Sequence, residues 1–368
     1  MLPEVVALTV LFIIGLFAFP ISNPELIFSG LLLPWGMVFS YWIMAALYRA
    51  FIWKAPTAFT DDYEIRIITI GKNVEVLKAT VAACPKPPMI VSRCFTGIPG
   101  TVVVPNETGL NAKYKGESQE WARRTYPRTS GYTLYIDEDT ILPKGFKMPA
   151  DGDIVQLEEN PQSTNWLIEA VEAHRSGFAV EMALFEQAKF PAYMWGGGVA
   201  ISAELENDTT WNRVTICEDS AFAYAIRQPF NYRYSGIQAK NQAPSTLWDL
   251  FKQRRRWTSG TVGDIGLCPS WFMRGALLVR AYAWAFTIPI AIAGLILHDL
   301  HWVFWLPLFM SMLLSFIGSW ITGRSVPDTI LNVLLGPIAS CINSVGTIIA
   351  FFHPVTTFDC TPKRASTV

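Results

Sequence analysis

The chain has 368 residues, of which 51% are hydrophobic and 16% charged, with 29 basic and 30 acidic side chains. A near-neutral balance argues against a nucleic-acid binder, which normally shows a strong basic excess. The apolar content is too high for an ordinary soluble enzyme and the charge too high for a wholly membrane-embedded chain.

In chain order, the first elements are apolar. Leu2 to Phe19 and Leu26 to Leu47 are long enough to cross a bilayer, which takes roughly 17 to 25 residues. Leu2 to Phe19 lacks a basic n-region and a small-residue cleavage site, so it reads as a retained helix rather than a signal peptide. Two more such stretches, Ala281 to Leu297 and Trp302 to Thr322, follow a long central block. Nearly all basic residues fall between Arg49 and Arg280, which by the positive-inside rule makes that block cytoplasmic. The stretch Val326 to Phe352 reads two ways. Its length allows a further span, while Asn332, Pro337, Ser340, Asn343 and Ser344 favour a helix lying in the interface.

The central block alternates strand and helix patterns. "YEIRIITIG" is β-branched and alternating, "KNVEVLKATVAAC" has helical spacing, and "PPMIVSRCF" and "GTVVVPNET" read as short strands. "NAKYKGESQEWARRTY" is polar and helical, and "GYTLYIDEDT" is a strand that runs into acids. This order predicts a mostly parallel sheet covered by helices, with ligands bound beyond the carboxyl ends of its strands.

Asp137, Glu138 and Asp139 fall at that rim. A short acidic run is often only a polar turn, but hard cations such as Mg²⁺ or Mn²⁺ take carboxylate oxygens together with substrate phosphates. Next comes "MWGGGVAISAELE", where Gly196, Gly197 and Gly198 allow close backbone approach by a ligand or simply a turn. In "TICEDSAFAYAIR", Thr215 to Cys217 reads as a strand and Ser220 onward as a helix. Glu218 and Asp219 then stand at a helix start, where an aspartate can merely cap. Thr246 and Asp249 form a capping box that opens a helix containing "FKQRRRW". Gln253, Arg256 and Trp257 share one face of it, apart from the apolar stripe of Leu247, Leu250 and Phe251. Arg254 and Arg255 are expected at lipid phosphates or the domain surface. The six cysteines are scattered, with no C-x-x-C pair, which argues against a zinc site or disulfide framework and fits a reducing compartment.

The ordered set D-E-D, glycine-rich strand, C-E-D and Q-R-R-R-W between two groups of apolar helices resembles the membrane-integrated family 2 glycosyltransferases. These include the hyaluronan, cellulose and chitin synthases. "YIDEDTIL", "ICEDSAFA" and "QRRRW" look most like the egghead-type β-mannosyltransferases, and the resemblance covers Ile65 to Lys363. It implies a GT-A-like, Rossmann-like α/β domain in the cytoplasm, inserted between transmembrane helices. The expected division is residues 1–50 (two spans), 51–275 (the glycosyltransferase domain), 276–325 (two spans), and 326–368 (interfacial helix and tail).

The resemblance also implies roles. Asp137 and Asp139 match the metal- and diphosphate-binding D-x-D, and Asp219 matches the catalytic base, with Glu218 beside it. Gln253, Arg256 and Trp257 match Q-x-x-R-W, which contacts the diphosphate and the acceptor sugar, and Gly196 to Gly198 fall on the acceptor side. "FDCTPK", Phe358 to Lys363, resembles a gating loop whose lysine meets the diphosphate. The implied reaction is inverting transfer from GDP-mannose or a UDP-sugar to a glycan or lipid-linked acceptor, singly or processively, with Mg²⁺ or Mn²⁺. One departure matters. The family's aspartate after the second strand helps read the donor base, yet that region here is "IVSRCFTG", and no Asp occurs between Tyr63 and Ile136. That departure leaves the nucleotide open and keeps a catalytically silent scaffold as an alternative. A small transporter is disfavoured, since its functional charges would lie within the spans.

Overall fold

The computed structural model describes residues 23–297 and 302–357. The expected span Leu2 to Phe19 and the expected loop Phe358 to Lys363 lie outside the described residues. Helix α1 (Asn23–Phe51) leads through β1 (Phe59–Thr60) into β2 (Tyr63–Thr69), α2 (Val74–Ala83), β3 (Met89–Ser92) and β4 (Thr101–Val103). Then come α3 (Tyr114–Thr125), β5 (Tyr132–Asp137), β6 (Met148–Pro149), β7 (Ile154–Gln162), α4 (Trp166–Ser176) and α5 (Val180–Ala188). Strand β8 (Val199–Ser202), α6 (Ala203–Asp208), α7 (Glu218–Ala225) and β9 (Tyr232–Gln242) complete the α/β unit. Helices α8 (Leu247–Asp264), α9 (Trp271–Leu297), α10 (Trp302–Ile321), α11 (Val326–Leu334) and α12 (Gly336–Phe352) follow.

The main sheet has seven strands in the order β4-β3-β2-β5-β8-β7-β9. Strands β4, β3, β2 and β5 are parallel, and β8 runs antiparallel to both β5 and β7. Both faces are covered. On β5, Leu134 and Ile136 join Ile65, Ile67 and Leu77 in one core, while Tyr135 joins Trp211 and Phe222 in the other. This is the period-two alternation of a strand buried on both sides, and β2 is likewise buried along nearly its whole length, Arg66 included. Pairing of Ile68 with Asp137 and of Thr69 with Ser92 brings the carboxyl ends of β2, β3 and β5 to one rim. Thr215 to Cys217, expected as a strand, is irregular loop instead.

Three described stretches, Gly30–Phe51, Trp271–Ile296 and Phe304–Ile321, are long and apolar enough to cross a membrane. Helix α9 starts ten residues before the expected Ala281 and so takes in Arg274 and Arg280. It tolerates Arg280 because that guanidinium pairs with buried Glu181 on α5. Helices α11 and α12 are bent by 63° at a short break rather than forming one straight rod. Gly318 of α10 lies against α4 so closely that an added Cβ would meet the Ala173 carbonyl oxygen at 1.8 Å. That contact clamps α4 between the sheet and the apolar helices.

Candidate active site

A cavity of about 1110 Å³ opens at the strand rim. Asp137, Asp139, Glu218, Asp219, Arg256 and Trp257 all line it, together with Gln253 and Gly196. The fold thus collects side chains from β5, α7 and α8 that are spread over more than a hundred residues of sequence. Lys363 lies outside the described residues. Gly197 and Gly198, expected on the acceptor side, are buried against protein instead. A Cβ on Gly197 would meet Glu159 Oε1 at 2.7 Å, and one on Gly198 would meet the Leu157 side chain at 2.8 Å.

The three acids of D-E-D do different work. Asp137 ends β5 with its side chain 37% exposed. Asp139 is buried, and its Oδ2 accepts the Gln242 N–H at 2.9 Å, tying the rim to the end of β9. Glu138 accepts from the Asn73 side chain at 2.7 Å and from the Thr69 hydroxyl, bracing the loop between β2 and α2.

At the second acidic site the N-cap of α7 is Cys217, which makes no side-chain capping bond. Asp219 lies inside the first turn, so its capping reading does not hold. Its Oδ1 is buried with no hydrogen-bond partner among the described residues. Burial pushes the Asp219 carboxyl well above the usual range, Lys115 offsets part of this, and Glu218 and Asp137 push it further up. A cavity-lining carboxylate with raised proton affinity has the character of a general base. Gly196 packs against it, since a Cβ there would lie 2.4 Å from Asp219 Oδ2 and 2.6 Å from Lys115 Nζ.

Lys115, on α3, is the central residue that sequence reasoning missed. Its Nζ stands 2.8 Å from Asp137 Oδ1, 3.2 Å from Glu218 Oε1 and 4.0 Å from Asp219 Oδ1. Burial would lower its proton affinity, but those three carboxylates outweigh burial and hold the ammonium well above its ordinary value. Tyr114, just before it, has a left-handed φ of 60°, an uncommon conformation for a bulky residue. Nothing in "NAKYKGES" separates Lys115 from its neighbour Lys113 except the way the helix starts.

The arginine run also resolves differently from expectation. Arg254 is buried, not at lipid or the surface. Its Nη2 lies 2.5 Å from Glu172 Oε1, and its Nε donates to Asn343 Oδ1 of α12 at 2.8 Å. Arg175 meets the other Glu172 oxygen at 2.6 Å and Glu159 at 3.3 Å, and Glu159 accepts the Gly197 N–H at 3.1 Å. Arg175 also sits 5.1 Å from the Trp195 ring and 5.4 Å from the Trp257 ring, close enough for cation–π attraction. Arg255 is half-buried and donates to the His353 carbonyl at 2.7 Å. A signal for Arg254 was present in the sequence. It follows Leu250 by four positions, so it extends the apolar stripe and requires a buried partner.

The donor set suits a hard cation only in part. Among the described residues no group of three or more His, Cys, Asp or Glu forms a complete metal cage. Mg²⁺ or Mn²⁺ held by one or two carboxylates and completed by phosphate oxygens needs no such cage. Asp137 and Asp139 fit that pattern, and a single ammonium facing Asp137, Glu218 and Asp219 leaves an excess of negative charge.

The mixed seven-stranded α/β sheet with its flanking apolar helices is a GT-A-like fold. The solved mannosyltransferase PcManGT from Pyrobaculum calidifontis, in complex with GDP-Man and Mn²⁺, shares this fold with a TM-score of 0.52 at 12% identity, covering 87% of this chain and 98% of that one. Residues 132–333 match the model of Glycosyl transferase family group 2, and the chain belongs to that family. It is 25% identical over 252 residues to the β-1,4-mannosyltransferase bre-3 of Caenorhabditis elegans, which covers 59% of this chain. It is 22% identical over 261 residues to the β-1,4-mannosyltransferase egh of Drosophila melanogaster, covering 63% of this chain. The match spans about half the length of these relatives, 52% and 55% respectively.

Proposed function

We propose that this chain is an inverting glycosyltransferase that moves a sugar, mannose from GDP-mannose first among donors, to a hydroxyl of a glycan or lipid-linked acceptor. The observation that carries this reading is Asp219, set in the same cavity as Asp137, Asp139, Arg256 and Trp257. Asp219 takes the acceptor proton as the acceptor oxygen attacks the anomeric carbon and the nucleoside diphosphate leaves from the opposite face. Arg256 and, in the tail, Lys363 offset the charge that develops on the diphosphate. Asp137 and Asp139 would hold Mg²⁺ or Mn²⁺, whose chemistry is to neutralise that leaving group. Trp257 offers a flat indole to the acceptor sugar. In this reading residues 51–275 form the catalytic unit on the cytoplasmic side, the flanking helices keep it at the bilayer, and Val326 to Phe352 lies in the interface.

The test is to incubate the purified chain in lipid nanodiscs with GDP-mannose or UDP-glucose, Mn²⁺ and a panel of alkyl glycosides. Release of nucleoside diphosphate coupled to a new β-linkage, seen by NMR, is the expected result. An α-linked product rules out the inverting mechanism, and no turnover with any donor favours a silent scaffold.

A further inference from the structure

We propose that Arg93 and Glu117 read the base of the donor nucleotide and that this base is guanine. The inference rests on the glycosyltransferase reading above. It starts from a gap in the sequence: no aspartate occurs between Tyr63 and Ile136 to recognise the base. Of the five glutamates in that stretch, Glu64, Glu75, Glu107, Glu117 and Glu120, only Glu117 lines the cavity. It comes from α3, where no strand-end pattern would reveal it.

Arg93 directly follows β3, at the carboxyl end of a strand next to β2, where open α/β sheets bind ligands. Its surroundings are closely packed. Gly71, at φ 77°, brings the β2–α2 loop so close that an added Cβ would lie 2.4 Å from Cys94 Sγ and 2.8 Å from Ser92 Oγ. Arg93 Nη1 donates to the Pro105 carbonyl at 3.2 Å, and Nη2 donates to Glu117 Oε2. Glu117 Oε1 accepts the Thr108 hydroxyl at 2.6 Å. Both side chains reach the cavity, 29% and 14% exposed, and each carboxylate oxygen keeps capacity for a second bond.

A guanidinium beside a carboxylate presents donors next to acceptors. The Watson–Crick edge of guanine is the complement, with O6 as acceptor next to the N1–H and N2–H donors. Adenine reverses the first two positions. Uracil offers one donor and then sets its second carbonyl against the carboxylate. The pair therefore favours guanine on hydrogen bonding alone.

The experiment measures binding of GDP, UDP, CDP and ADP to the full chain in nanodiscs with Mn²⁺, by calorimetry. Wild type is expected to prefer GDP over UDP by roughly 5- to 150-fold, the span of one well-made bidentate contact. Glu117→Gln and Arg93→Met should each erase most of that preference while leaving UDP affinity within about twofold, which also shows that the variants fold. Equal or tighter binding of UDP or ADP by wild type overturns the guanine assignment alone. A wild-type GDP to UDP ratio in both variants overturns the role of the pair. Failure of every nucleotide to bind overturns the glycosyltransferase reading and this inference with it.

Discussion

Arg254 and Glu172 stand 2.5 Å apart in the interior, with side chains 1% and 2% exposed. The pair joins the helix carrying Gln253, Arg256 and Trp257 to α4, and through Arg175 and Glu159 it reaches the backbone of Gly197. Removing one partner leaves a buried charge unmatched, at a cost of about 3–5 kcal/mol. Glu172→Gln should therefore lower the thermal midpoint by several degrees in detergent, and an unchanged midpoint would show that the pair is idle. Burial alone would raise the Glu172 carboxyl, but Arg254 and Arg175 outweigh it and hold it at about 2. A depressed carboxylate contributes stability above its unfolded value, near 4.3. Wild type should lose this contribution as pH falls from about 5 toward 2, and Glu172→Gln should lose less over that window.

Asp219→Asn keeps the shape of the side chain but cannot accept a proton at neutral pH. Transfer should fall by roughly 10²-fold or more. The melting temperature should hold, because Cys217 rather than Asp219 is the N-cap. Donor affinity, read by calorimetry, should stay near wild type. Transfer within threefold of wild type would remove Asp219 from the mechanism.

Lys115→Met takes the ammonium out of the Asp137, Glu218 and Asp219 cluster. The remaining carboxylates repel one another, so the variant should melt earlier than wild type without metal. Added Mn²⁺ should then raise its melting temperature by more than it raises that of wild type. Equal metal-induced shifts would mean that Lys115 and the cation do not share a site.

Asp139→Asn retains an oxygen that can accept the Gln242 N–H, whereas Asp139→Ala loses it. If Asp139 holds the cation, both variants should lose Mn²⁺-dependent turnover by roughly 10²-fold. Only the alanine variant should also lose stability, by about 0.5–1.5 kcal/mol for the lost hydrogen bond to the half-buried Gln242 N–H. Full activity of Asp139→Asn in limiting Mn²⁺, or of wild type in excess chelator, would exclude the role.

Gly196→Ala introduces a Cβ 2.4 Å from Asp219 Oδ2 and 2.6 Å from Lys115 Nζ. Both neighbours are tips of movable side chains, so the fold should survive while the carboxylate shifts. A shift of that order should cost transfer about 10-fold or more. Kinetics and melting measured together decide it: wild-type turnover would show that the position of Asp219 is not critical.

The sequence by itself determined the alternating α/β unit, the described apolar helices and the order of the motifs. Those features are local: a period of two in β2 and β5, helical spacing in α2, and a capping box at Thr246 that the structure reproduces. The order of motifs singled out Asp137, Asp219 and Trp257, and the fold brings all three to one cavity. Tertiary structure alone decided how charge is matched between segments. Lys115 lies 22 positions before Asp137 and more than a hundred before Asp219, and Glu172 lies 82 before Arg254. Spacing along the chain carries no signal at such separations. The fold also decided that Gly197 and Gly198 face Glu159 and Leu157 rather than the cavity, because a glycine marks close approach without saying what approaches. The physical reason is the same throughout. Periodicity reports which face of an element is buried, whereas ion pairs and close contacts depend on which elements the sheet order brings together.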